Sequence, residues 1–148
     1  MELGVHYGKE PREFFLTDRG ENSGVKYGDL SGDGKEEAVV VLGVITSGSA
    51  RPNIVFVFGM SGDTPKIWWV RETGDRADHG YHNASIRNGQ LLLETYKPRA
   101  EKFQTSNSDT YIRDYYKWTG VEFKKIQTQE IPVDTQDDNP WVIHLPNR

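Results

Sequence analysis

The chain has no cysteine. That excludes disulfides, thiol catalysis and thiolate metal sites. No apolar run approaches the length of a membrane span. There is no excess of positive charge: 18 Lys and Arg stand against 22 Asp and Glu, a net charge of -4 with both signs mixed along the sequence. No basic footprint for nucleic acid results. Sustained helical periodicity is missing too, and seven prolines and fifteen glycines punctuate the chain. No signal peptide is visible. Met1-Glu2-Leu3-Gly4 reads as an arbitrary start, as though a targeting segment once preceded it.

What is present fits one soluble globular domain. The 148 residues are 35% hydrophobic and 27% charged, enough for a single core. The expected layout is a lead-in over 1–24, a core over 25–127 and a wrapping tail over 128–148. In the tail, Pro132, Pro140 and Pro146 break regular structure, and Trp141 and Ile143 pin it to the domain.

Strand patterns dominate. They cover 25–29, 37–44, 53–60, 66–72, 84–87, 90–96, 111–118 and 121–127, about eight strands by period-two alternation and turn signals. Asn53 to Met60 is apolar on both faces, as in a central, doubly covered strand. Asn88-Gly89 is the preferred two-residue hairpin turn, because both positions require positive φ. A second hairpin turns at Thr119-Gly120. The strands fall into two antiparallel meanders, 25–72 and 84–127, which predicts a mainly β fold, either a sandwich or one strongly twisted sheet. The best helix candidate is short, Glu10 to Leu16, with Pro11 near its start and Phe14, Phe15 and Leu16 as apolar anchors.

Between the first two strands of the core lies Asp29-Leu30-Ser31-Gly32-Asp33-Gly34-Lys35-Glu36-Glu37. Oxygen-bearing side chains recur at Asp29, Ser31 and Asp33, Glu37 follows, and two glycines permit a sharp turn around one hard cation. An EF-hand would carry a bidentate Glu where Val40 stands, so that reading fails. The shorter pattern resembles the calcium loops of FG-GAP and related integrin-type repeats, in which an aspartate-rich turn joins two strands. That resemblance implies side-chain ligands from Asp29, Ser31, Asp33 and Glu37, and the backbone carbonyl of Lys35. Ser31 and Glu37 depart from the usual Asp or Asn and Asp. With a single copy a complete propeller is excluded. Calcium affinity of the ~0.1–1 mM kind is expected. The alternative is a metal-free turn in which Asp29 and Asp33 bond backbone amides.

A wider resemblance rests on Tyr27 to Ala38, Gly74-Asp75-Arg76, Asn88 to Glu94 and Tyr116 to Phe123. These stretches are similar to a group of uncharacterised exported bacterial proteins and lipoproteins, which implies a place in the cell envelope and supplies no activity.

Asp75-Arg76-Ala77-Asp78-His79-Gly80-Tyr81-His82 packs two carboxylates and two imidazoles into one connection. His79 and His82 could ligate a transition metal or act as acid and base, but the spacing matches no zinc signature. Trp68, Trp69, Trp118 and Trp141, with seven tyrosines, could form a sugar-binding platform or simply fill a core. Adjacent Trp68 and Trp69 are expected on opposite faces of their strand. Asp29, Asp33 and Glu94 could join a glycosidase-like carboxylate pair, which needs a defined separation. No nucleophile elbow or phosphate loop occurs. The leading expectation is therefore a non-catalytic exported module with a calcium loop. A hydrolase or metal-dependent enzyme built on the 75–82 loop and a carbohydrate-binding module are the alternatives, and a protein or carbohydrate is the expected kind of partner.

Overall fold

Val39 and Val41 alternate with Val40 and Leu42, and a period of two sends such neighbours to opposite faces of a strand. The same logic shapes most of the chain. The computed structural model describes residues 13–16, 18–19, 22–46, 48, 52–74, 79–98 and 110–132. Eleven strands run through them: β1 (Glu13–Leu16), β2 (Asp18–Arg19), β3 (Asn22–Ser23), β4 (Val25–Gly28), β5 (Glu37–Ile45), β6 (Asn53–Ser61), β7 (Thr64–Glu72), β8 (Tyr81–Arg87), β9 (Gln90–Tyr96), β10 (Thr110–Trp118) and β11 (Phe123–Pro132). No helix occurs among the described residues.

Two sheets form a β-sandwich. The first has the order β1-β5-β6-β7, with β4 also pairing β5, and the second has the order β11-β10-β9-β8. β2 and β3 make a separate two-stranded ladder. Every strand pairing is antiparallel. The two meanders expected from the sequence are the two sheets. β6 is indeed central, flanked by β5 and β7, and Ile54, Val55, Phe56 and Val57 are all buried.

The main core lies between the sheets. Val39, Val41, Val55 and Val57 from the first sheet meet Ala84, Leu91, Leu93, Tyr116 and Phe123 from the second. The opposite face of the first sheet carries a second apolar cluster, Val44, Ile54 and Phe56, with Val40, Leu42, Phe58 and Ile67 around it. Lys26 bridges the sheets at one flank, where its ammonium donates to Asn83 Oδ1 at 3.1 Å and to the Ala84 carbonyl. Burial pulls its pKa below the ordinary lysine value.

Several sequence expectations need correction. Glu13 to Leu16 is the strand β1, paired with Leu42 to Ile45, and not part of a helix. A helix this short nucleates poorly, whereas Phe-Phe-Leu gains ready-made partners along β5. Residues 13–16 of the expected lead-in thus belong to the first sheet, and residues 10–12 of the expected helix lie outside the described residues. Residues 128–132, expected in the tail, belong to β11, which continues to Pro132 opposite Thr110. Trp141 and Ile143 lie outside the described residues. The second hairpin turn is four residues long, Thr119 to Glu122, with Trp118 opposite Phe123. The Thr119 hydroxyl accepts from the Val121 and Glu122 amides, at 3.4 and 3.2 Å, and so closes the wider turn.

Trp68 and Trp69 do not face opposite sides. The β6–β7 register slips by one residue between Val57 and Phe58, so Trp69 sits opposite Val57 and Ile67 opposite Phe58. This bulge at Trp68 resets the alternation. Both indoles then pack on the inter-sheet core, Trp68 stacked on Trp118 at 4.6 Å and Trp69 against Tyr116 at 4.8 Å.

Candidate functional site

Antiparallel order gathers the 29–36 loop, the 62–63 turn, the Asn88-Gly89 turn and the 119–122 turn at one end of the sandwich. Asn88 and Gly89 have φ values of 52 and 70, and Arg87 pairs with Gln90, as a two-residue hairpin demands. The tip of this hairpin abuts the acidic loop, since a Cβ on Gly89 would lie 3.6 Å from the Asp29 carbonyl oxygen.

The loop is folded by its own side chains. Gly32 and Gly34, with φ of 81 and 82, reverse the backbone. Asp29 Oδ1 accepts the Gly32 amide at 2.6 Å, and Oδ2 accepts the Gly34 amide at 2.9 Å. These bonds, chiefly that from Gly34, hold the Asp29 carboxyl below the usual aspartate pKa. Glu37 is buried at the start of β5, and its Oε2 accepts the Leu30 amide at 2.7 Å and the Ser31 amide at 3.0 Å. The longer arm of glutamate is what lets it reach back across the turn. Ser31 Oγ lies 3.4 Å from Asp29 Oδ1 and 3.3 Å from Glu37 Oε1.

The structure thus brings together oxygens of Asp29, Ser31 and Glu37. Asp33 is turned to a local task, accepting the Lys35 amide at 2.8 Å through Oδ1. Two carboxylates and a hydroxyl converging on one point are hard donors of the type calcium takes. The four amides bonded to Asp29 and Glu37 also relieve much of the charge repulsion without any cation. Among the described residues no group of three or more His, Cys, Asp or Glu is placed to hold a metal ion.

Two further polar clusters form, and neither grouping was anticipated, although His82 and Glu94 stood out separately in the sequence. On the outer face of the second sheet, Glu94 Oε1 accepts from Arg113 Nε at 2.7 Å and lies 2.6 Å from Nη2. His82 Nε2 is 3.8 Å from Glu94 Oε2, and His82 Nδ1 is 2.9 Å from the Tyr96 hydroxyl. The imidazole also packs on Tyr111, 4.8 Å between ring centroids. Between the sheets, buried Asp114 faces Arg71 at 3.3 Å and accepts from Thr128 at 2.7 Å, with Lys125 at 3.8 Å. The available signal was a carboxylate inside each strand pattern: Glu94 directly follows Leu91-Leu92-Leu93, and Asp114 interrupts an aromatic strand.

The 75–82 connection is only partly described. Asp75, Arg76 and Asp78 lie outside the described residues. His79 is exposed with φ of 53, whereas His82 belongs to β8. Trp68, Trp69 and Trp118 pack against the core and do not form an exposed strip. Among the described residues no helix is long and apolar enough to cross a membrane.

Fold and loop define an antiparallel β-sandwich with an aspartate-rich, glycine-turned strand connection. Compared with known proteins, the chain matches no family model, no curated protein and no solved structure.

Proposed function

We propose that this chain is a non-catalytic, exported or envelope-associated module in which loop 29–37 is a structural calcium site. Asp29, Ser31, Asp33 and Glu37 would supply side-chain oxygens, and Lys35 its carbonyl. The observation that carries this reading is the approach of Asp29 and Glu37 carboxylate oxygens to within 3.4 Å of the Ser31 hydroxyl they share, on a backbone already turned by two glycines. Position supports a structural role. The loop joins β4 to β5 in one sheet and touches the β8–β9 turn of the other, so a cation there would brace both sheets. The pairing of Glu94 with Arg113, and of His82 with Tyr96, supports a packing role for those groups over catalysis. Export is supported by the sequence resemblance alone.

Asp33 gives the cleanest test. Its carboxylate caps only the Lys35 amide, so Asp33→Ala removes a ligand while leaving the Asp29 and Glu37 bonds that shape the loop. Millimolar calcium should raise the wild-type melting temperature by ligand linkage, magnesium less, and the Asp33→Ala protein should not respond. A wild-type melting curve indifferent to millimolar calcium would reduce the loop to a metal-free turn.

A further inference from the structure

Most cations in and beside the second sheet are matched by carboxylates. Arg113 pairs with Glu94 at 2.6 Å, Lys97 with Glu130 at 2.9 Å, and Lys125 reaches Asp114 at 3.8 Å. One row breaks that pattern. Arg87 stands opposite Gln90 at the end of β8, and Lys117 stands opposite Lys124 in the β10–β11 hairpin. Their chain neighbours Ile86, Leu91, Tyr116 and Phe123 pack on the inter-sheet core, so alternation turns all four to the outer face. Tyr116 pairs with Leu91, which sets Lys117 in line with Gln90. Adjacent strands lie ~4.8 Å apart, so the row from Arg87 to Lys124 crosses the sheet over ~14 Å.

Like charges directly opposite each other destabilise a strand pair. Lys117 and Lys124 are so placed, and both are exposed, as is Arg87. None of the three makes an ion pair among the described residues, and Glu122 in the adjoining turn bonds to neither lysine. On the β8 side, the Lys26 ammonium at Asn83 Oδ1, 3.1 Å away, adds a further cation. A positive strip thus lies on a chain whose net charge is -4. Gln90 stands within the strip, and Tyr115, with Gln127 opposite it, stands in the next row of the same face.

We propose that this strip binds a linear acidic polysaccharide, with its carboxylates over Arg87, Lys117 and Lys124. A guanidinium can take a carboxylate through two parallel bonds, and an anion between Lys117 and Lys124 removes their repulsion. Gln90, Gln127 and the Tyr115 hydroxyl offer donors and acceptors that suit the sugar hydroxyls between the charges. Phosphodiester chains do not call for these amides, and a protein of net negative charge is repelled by DNA and by anionic bilayers everywhere beyond the strip. The site uses no residue of loop 29–37, so it stands whether or not that loop holds calcium.

Isothermal titration with oligogalacturonate in calcium-free buffer tests the proposal. Wild type should bind, and added salt should weaken the binding by screening. Lys117→Gln combined with Lys124→Gln should weaken it about tenfold, because two exposed charge contacts are lost. Relief of the opposed charges should leave the melting temperature unchanged or higher, so that lost binding is not lost folding. Lys66→Gln, on the first sheet, should bind as wild type does. Neutral dextran should not bind. A wild type that does not bind oligogalacturonate, or a double variant that binds it undiminished, would overturn the proposal. Equal affinity for duplex DNA, polyglutamate or anionic phospholipid vesicles would overturn it as well, by marking a patch that selects charge alone.

Discussion

At the residue scale, buried polar groups decide more than their number suggests. Asp114 is buried between the sheets and is held by Arg71, Thr128 and Lys125. Arg71 also donates to the Tyr116 hydroxyl. Removing the carboxylate strands a half-buried guanidinium and an unpaired hydroxyl, and Asp114→Ala should cost about 2–4 kcal/mol in urea unfolding. A cost within error of zero would show that this cluster contributes no stability. Tyr81 supplies a pH dependence. Burial pushes its phenol up to about 12. The folded state therefore keeps the proton more tightly than the unfolded chain, whose tyrosines titrate near 10. The associated stability is complete below pH 10 and is lost as pH rises from 10 to 12, on the order of 2–3 kcal/mol in all. Tyr81→Phe should lose less stability than wild type over that interval. Identical losses in the two proteins would place the alkaline transition elsewhere.

At the element scale, the two-residue turn is the simplest claim to break. Gly89→Val forces a β-branched side chain into φ of 70, so about 1–2 kcal/mol of stability should be lost, measured by chemical denaturation. Unchanged stability would contradict the turn. Alternation made most strands legible in the sequence. β9 runs from Gln90 to Tyr96 as the pattern requires, and the Asn-Gly turn fixed where β8 ends. Bulges were not legible, because one extra residue inverts the phase without leaving a compositional mark. That is why Trp68 and Trp69 share a face. β1 was misread for a different reason: three apolar residues in a row fit either a short helix or a strand, and only the partner β5 decides. Of the loop, the glycine turns and the approach of Asp29, Ser31 and Glu37 were legible from spacing. The outward task of Asp33, and the reach of Glu37 to the Leu30 and Ser31 amides, depend on torsions that spacing does not encode.

On the scale of the whole molecule, the sandwich divides its labour between its ends. Tight turns and the acidic loop share one end, where the two sheets meet through Asp29 and the Asn88-Gly89 hairpin. β1 pairs the far half of β5, Leu42 to Ile45, remote from the loop. The central claim is that loop 29–37 holds calcium, and a crystal structure of the protein grown in millimolar calcium tests it most directly. The account predicts one ion with oxygens of Asp29, Ser31, Asp33 and Glu37 and the Lys35 carbonyl at about 2.3–2.6 Å. A loop that keeps its present amide bonds, with no ion among those oxygens at that concentration, would contradict it.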